Sequence, residues 1–192
     1  MARPAVKKSS IENAAIRLFA SRGLASTTIR DIALEAGVTE GALYRHYSGK
    51  NDMAWKLFCR EVEHFSADLQ KILFEPAATP GDKLEAGIRY LYSYYEAHPL
   101  QFSFILLTQH GFPGVKLLDK ARNPNDLVIR FIGAVIMESG SEVDDPVLAA
   151  GMIMGLALQP IVMHRYGRVK KLTGKLVDKV VEASKRILVI ND

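Results

Sequence analysis

The chain has 192 residues, room for one large domain or a small one joined to a larger, and its 48% of apolar residues can bury a substantial core, which argues against a disordered chain. The single cysteine, Cys59, excludes an internal disulfide and a thiol-rich zinc site, and it fits a reducing cytoplasm. Of the net charge of +4, residues 1–60 carry ten Lys/Arg against five Asp/Glu and the rest 15 against 16, so the positive excess at the N-terminal end either meets a polyanion or forms an ordinary solvated surface.

In chain order, Met1 to Ser10 is charged and lacks the apolar run of a secretory signal. Ile11, Ala15, Leu18 and Phe19 form one helical stripe, with Ser9 or Ser10 as the expected N-cap and Gly23 as the stop. Thr27 or Thr28 caps a second helix with the stripe Ile29, Ile32, Ala33 and Ala36, which Gly37 ends. A third helix opens at once with Thr39 as N-cap and runs from Glu40 to Arg45. Two short helices around a glycine turn make a helix-turn-helix, and the first helix closes a three-helix core.

A break at Ser48–Asn51 leads into a long helix from about Lys50 to Phe74, punctuated by Pro76 and Pro80. Further helices are expected over Asp82–Ala97, Leu100–His110, Asp126–Glu138, Pro146–Tyr166 and Lys175–Leu188, with no convincing strand. The fold class is all-α. Val147–Met163 is apolar but for Gln159, at the lower end of membrane-spanning length, with Pro160 expected to interrupt it near its end. It reads as a buried helix, and no membrane partner is expected.

The second helix of a helix-turn-helix enters the major groove of duplex DNA with its N-terminal residues at base edges. Thr39, Glu40, Gly41 and Ala42 occupy those positions, and Leu43 is expected to turn back into the core. Tyr44 and Tyr47 each offer a hydroxyl to a phosphate, unless they are core aromatics. Lys50 adds a cation beside a helix N-terminus, and Arg30 reaches a phosphate or a guanine. Glu40 either accepts from cytosine or points at solvent.

Over Ile11 to Phe58 the sequence resembles the TetR family of bacterial repressors. The resemblance is carried by Ala15, Leu18-Phe19-Ala20 and Gly23; by Thr27-Thr28-Ile29-Arg30-Asp31-Ile32-Ala33; by Ala36-Gly37-Val38; by Gly41-Ala42-Leu43-Tyr44-Arg45-His46-Tyr47; and by Lys50. It implies about nine helices, with a DNA-binding domain at 1–50 and a ligand-binding and dimerisation domain at 51–192. It implies a ligand-released repressor that binds a palindromic operator as a homodimer in the cytoplasm. The family's DNA-contacting positions fall on Thr28, Arg30, Thr39, Glu40, Gly41, Ala42, Tyr44, Arg45, Tyr47 and Lys50. No motif of comparable specificity lies beyond Phe58, so the effector is not implied.

One reading helix covers few base pairs, so two-fold pairing is expected. The last two long helices are the natural interface: Leu148, Gly151, Met152, Gly155 and Leu156 on one, and Val177, Val180 and Val181 on the other, building a four-helix bundle between subunits unless they are buried within one. A pocket for a small apolar or amphipathic ligand is expected among Phe65, Tyr90, Tyr94, His98, Phe102, Gln109, Met152, Gln159 and Met163, with His110 and His164 nearby, although plain core packing competes at each. No cofactor or metal site is expected. The five histidines show no metal-binding pair, phosphate-cradling and nucleophile-elbow motifs are absent, and Cys59 has no local activating partner, so an enzyme is not expected.

Overall fold

A computed structural model describes residues 4–108, 123–139 and 143–190. Among the described residues there are nine α-helices and no strand: α1 Pro4–Arg22, α2 Ile29–Glu35, α3 Glu40–Tyr44, α4 Lys50–Leu73, α5 Pro80–Ala97, α6 Pro99–Thr108, α7 Pro124–Ser139, α8 Pro146–Arg165 and α9 Gly174–Ile187. Local sequence chemistry sets most of the ends. Asp145 caps α8 by accepting from Val147 N (2.8 Å) and Leu148 N (3.2 Å), with Pro146 just inside. Thr173 caps α9 through Leu176 N. Two sequence expectations fail here. The first helix begins at Pro4, so Ser9 and Ser10 lie inside it; Pro4 suits a first helical position and nothing after it breaks the helix. Pro160 does not interrupt α8, which continues past it to Arg165.

The chain divides into two compact units, one of Met1–Glu63 with His98–Leu118, the other of His64–Ala97 with Asp119–Asp192. The first is thus larger than the expected domain at 1–50. Its core gathers Ile11, Ala15, Phe19, Ile32, Leu43, Met53, Leu57 and Phe104. Phe104 explains the extension: α6 packs on α1, where this ring stacks on Phe19 (centroids 5.9 Å) and meets Phe58 edge-on at 6.4 Å. The helical pattern of residues 100–110 reveals an apolar face but not which neighbour covers it.

In the second unit, α5 lies on α4 where Gly87 permits close approach; a Cβ there would stand 3.0 Å from Leu73 Cδ2. The α7–α8, α5–α9 and α8–α9 pairs bury Ile88, Ile132, Ile153, Ile161 and Val181. The α9 stripe is spent inside the subunit: Val177, Val180 and Val181 are all buried, which corrects their placement at a dimer interface. The outer face of α9 carries Lys175, Asp178, Lys179, Glu182 and Arg186 instead. The reading of Val147–Met163 as a buried helix also fails. Among the described residues α8 is the one helix long and apolar enough to cross a membrane, yet only a minority of it is buried, and Val147, Leu148, Met152, Leu156 and Met163 are exposed.

Candidate nucleic-acid interface

The helix-turn-helix is built by three local devices. Thr28, not Thr27, is the N-cap of α2, in a reciprocal box: Asp31 N donates to Thr28 Oγ1 (3.1 Å), while Thr28 N and Oγ1 donate to Asp31 Oδ2 at 2.9 and 2.6 Å. The hydrogen bonds from Thr28 hold the Asp31 carboxyl below its usual range. Thr27 is instead buried, its hydroxyl donating to the Gly23 carbonyl at 2.8 Å. Gly37 then stops α2 at φ +66°, where Gly37 N donates to Leu34 O (3.2 Å) and Val38 N to Ala33 O (2.9 Å). This paired closure needs the left-handed conformation that glycine adopts without steric cost. Third, Leu43 is fully buried and fixes the rotation of α3 about its axis.

That rotation decides what α3 presents. Thr39, Glu40, Gly41, Tyr44 and Arg45 are exposed, and Ala42 is half-buried against the core. Thr39 occupies the N-cap position without a side-chain cap bond. Gly41 faces open space: a Cβ there would have only Thr39 Oγ1 within 4.0 Å. A side chain added at this position would therefore project outward rather than clash. Arg30 is exposed on α2, so most of the expected contact positions are exposed on the α2–α3 pair.

Three expected contact residues have structural duties. The Thr28 hydroxyl is committed to its cap. Tyr47, unlike Tyr44 (55% exposed), is 6% exposed, and its hydroxyl donates to Glu12 Oε1 at 2.6 Å, which corrects its role as a phosphate ligand. Burial and this bond to a carboxylate both push the Tyr47 phenol pKa upward. Lys50 Nζ donates to the carbonyls of Leu24 (2.8 Å) and Ala25 (3.3 Å), clamping the α1–α2 turn to the start of α4.

The sequence reading missed a polar cluster beneath this surface. Glu12 on α1 accepts from Tyr47 and from Arg60 of α4, and Arg60 also donates to Glu61 (2.8 Å), while Lys8 lies 3.8 Å from Glu12. Burial alone would raise the Glu12 pKa, but the hydrogen bonds from Tyr47 and Arg60 and the charges of Arg60 and Lys8 outweigh it, and the net shift is downward. The available signal was an acid adjoining the apolar stripe of α1; its partners lie 35 and 48 positions away.

Of the expected ligand residues, the second unit brings Phe65, Tyr90 and Tyr94 together, with ring centroids 5.0 to 5.8 Å apart and Tyr90 OH donating to Phe65 O at 3.3 Å. Burial raises the Tyr90 phenol pKa. Tyr95 OH shares a 3.0 Å hydrogen bond with His164 Nδ1. Met152, Gln159 and Met163 are instead exposed along α8, and His98 and Phe102 belong to the first unit. Gln109 and His110 lie outside the described residues. Two buried hydroxyls in the second unit, Ser66 Oγ and Tyr92 OH, have no hydrogen-bond partner among the described residues, and burial pushes the Tyr92 phenol up to about 12.

Residues 11–55, the segment that folds into this surface, match the family model described as bacterial regulatory proteins of the tetR family. By this segment, under a quarter of the chain, the protein is similar to the tetR-family regulators. Among curated relatives, the HTH-type transcriptional repressor KstR2 of Mycolicibacterium smegmatis is 35% identical over 82 residues, which cover 43% of this chain and 40% of the relative. The HTH-type transcriptional regulator AcrR of Shigella flexneri is 36% identical over 77 residues, 38% of this chain and 33% of the relative. The matched stretch thus spans about two fifths of these relatives' length or less. Both are described as HTH-type transcriptional regulators or repressors.

The fold similarity runs further. The fatty acid degradation regulator FadR from Bacillus halodurans superimposes with a TM-score of 0.69 at 18% identity, covering 93% of this chain and 94% of that one. A γ-butyrolactone receptor described as ArpA-like gives 0.69 at 22% identity, covering 98% and 99%.

Proposed function

We propose that this chain is a sequence-specific DNA-binding regulator of the TetR family, a ligand-released repressor that reads a palindromic operator as a homodimer. The observation that carries the reading is the orientation of α3: Leu43 anchors it while Thr39, Gly41, Tyr44 and Arg45 face outward at one end of a basic segment. Small groups at the start of a short helix allow close approach to base edges, and the tyrosine and arginine that follow suit phosphates.

The test is selection from a random duplex library followed by titration against salt. Binding is expected to weaken steeply as salt rises, because cations that meet phosphates release counterions. Tyr44→Ala is expected to weaken all sequences alike, whereas Gly41→Ser changes which sequence is preferred. Absence of affinity for any duplex at low ionic strength overturns the reading.

For the effector, the supporting features are the aromatic group of Phe65, Tyr90 and Tyr94 and the two unpartnered hydroxyls in the same unit. Such hydroxyls match a ligand that pairs apolar carbon with carbonyl oxygen. Fatty acids and γ-butyrolactones, for which two neighbours in fold are named, are of that kind. Tyr92→Phe removes a buried hydroxyl that has no partner, so it is expected to stabilise the ligand-free protein by about 1 kcal/mol, read by thermal melting as a rise of about 2–4 °C. A lowered melting temperature would show that the hydroxyl is satisfied. Helix α4 contributes residues to both units and is the element through which an effector with different affinities for two head arrangements would act.

A further inference from the structure

Within the second unit, α8 keeps an apolar stripe uncovered: Leu148, Met152, Leu156 and Met163 are exposed, with Gly151 and Gly155 beside them. Spacings of four and seven put these side chains on one side of the helix. The neighbouring α9 offers no such stripe, because its apolar side is buried in its own subunit.

The two ends of α8 carry opposite charge. Between Arg130 and Arg165 the chain has acids but no Lys or Arg: Glu138, Glu142, Asp144 and Asp145. Between Asp145 and Asp178 it has cations but no acid: Arg165, Arg168, Lys170, Lys171 and Lys175. Glu138, Asp144, Arg168, Lys170 and Lys171 are exposed, and none has an ion-pair partner among the described residues. Local bonds tie both groups to the helix. Asp145 accepts from Val147 N and Leu148 N at one end. At the other, Gly167 stops α8 at φ +71° and Arg168 N donates to Met163 O at 2.8 Å.

A single copy leaves these charges unmatched. Helix α8 has 20 residues, so its ends stand about 30 Å apart, well beyond the screening length of about 8 Å in physiological salt. A second copy matches them in one orientation. When two α8 helices lie antiparallel about a two-fold axis at their midpoints, Leu148 falls opposite Met163 of the partner subunit. Gly155 falls opposite Leu156 of the partner subunit, whose side chain fits the place where the glycine lacks a Cβ and nothing else lies within 4 Å. Asp144 then adjoins Arg168 of the partner subunit, twice by symmetry. A parallel pair sets acid against acid and base against base.

We propose that α8 is an antiparallel docking surface for a second copy of this chain, oriented by Glu138 and Asp144 facing Arg168 and Lys170 of the partner subunit. The proposal deepens the homodimer reading above and rests on it. The apolar stripe supplies the affinity; exposed charge pairs add little to it and act by selecting the orientation.

The test uses two full-length variants that each reverse one end, R168E/K170E and E138K/D144K, with Asp145 kept because it caps α8. By sedimentation equilibrium at low salt, each variant alone is expected to dimerise at least about tenfold more weakly than wild type, and the loss shrinks as salt rises. Mixed in equal amounts, the two are expected to form the heterodimer in preference to either homodimer, since every reversed end then meets its opposite. Native mass spectrometry separates the three dimers by mass. The neutral variant R168Q/K170Q is expected to weaken the dimer less and to flatten the salt dependence of wild type, and it carries the test should a reversed variant fail to fold. If wild type dimerises and the variants keep its dissociation constant, the charge pairing is overturned and the homodimer stands. If both reversed variants weaken but their mixture shows no preference for the heterodimer, the antiparallel orientation is overturned. If wild type is monomeric at all concentrations, the homodimer reading and this proposal fall together, and cosedimentation of that monomer with phosphatidylserine vesicles would assign the apolar face to a membrane.

Discussion

Leu156→Glu is expected to convert the proposed homodimer into a monomer, with the dimer dissociation constant raised about a thousandfold or more. Leu156 is 38% exposed in the single chain, and Leu148 (57%) and Met152 (44%) extend the same uncovered face of α8. Nothing within 4 Å would meet a Cβ at Gly151 or Gly155, so that face is open to another helix. In the separated subunit, glutamate at this exposed position costs within about 0.5 kcal/mol of nothing. In a two-fold interface the same substitution occurs twice and buries two unpaired carboxylates, at several kcal/mol in total. Sedimentation velocity would read the change directly, and operator affinity should fall with it because the proposed palindromic operator takes two reading heads. An unchanged dimer would place the interface elsewhere. Val180→Glu provides the contrast: Val180 is 8% exposed within its own subunit, so charge there is expected to unfold the chain rather than separate two folded copies.

That contrast marks how far sequence patterns reach. The α9 stripe of Val177, Val180 and Val181 correctly announced a buried face, but periodicity does not say whether the same chain or a second copy buries it. In α8 the apolar run has too few polar residues to mark a stripe, and an exposed side could not be separated from a buried one. The cap at Thr28 and the stops at Gly23 and Gly37 were legible because their chemistry is confined to a few adjacent residues. Tyr44 and Tyr47 show the opposite case. They are the same residue type three positions apart, but α3 ends between them, and Tyr47 turns inward to an acid on α1. The same holds for α6, whose helical extent was readable while its partner α1, some ninety residues earlier, was not.

Arg60→Ala is expected to destabilise the reading head by about 1–2 kcal/mol, between the values for exposed and buried ion pairs, since Arg60 is itself 37% exposed but joins two carboxylates that have little access to water: the side chains of Glu12 and Glu61 are 12% and 9% exposed. Removing the guanidinium leaves both acids without their shared cation, and Glu12 keeps only the Tyr47 hydroxyl and the more distant Lys8. Arg60→Lys should recover only part of the loss, because an ammonium cannot reproduce the planar fork that serves two acids at once. The pH dependence carries a definite sign. The folded-state pKa of Glu12 lies below the ordinary 4.5, so its contribution is fully present above that value and is lost as pH falls through the folded pKa. Wild type should therefore weaken on acidification below about 4.5, while in Arg60→Ala protonation relieves the repulsion between Glu12 and Glu61 and the deficit narrows. Denaturant unfolding of both proteins at pH 7 and near pH 4 would measure this. A deficit that stays constant or widens at low pH would mean that Arg60 acts through packing of its aliphatic stem and not through charge. The consequence for function is that Glu12 ties α1, the Tyr47 turn after α3 and the α4 helix into one rigid support, so a head loosened here should lose operator affinity without any change to the surface that reads the bases.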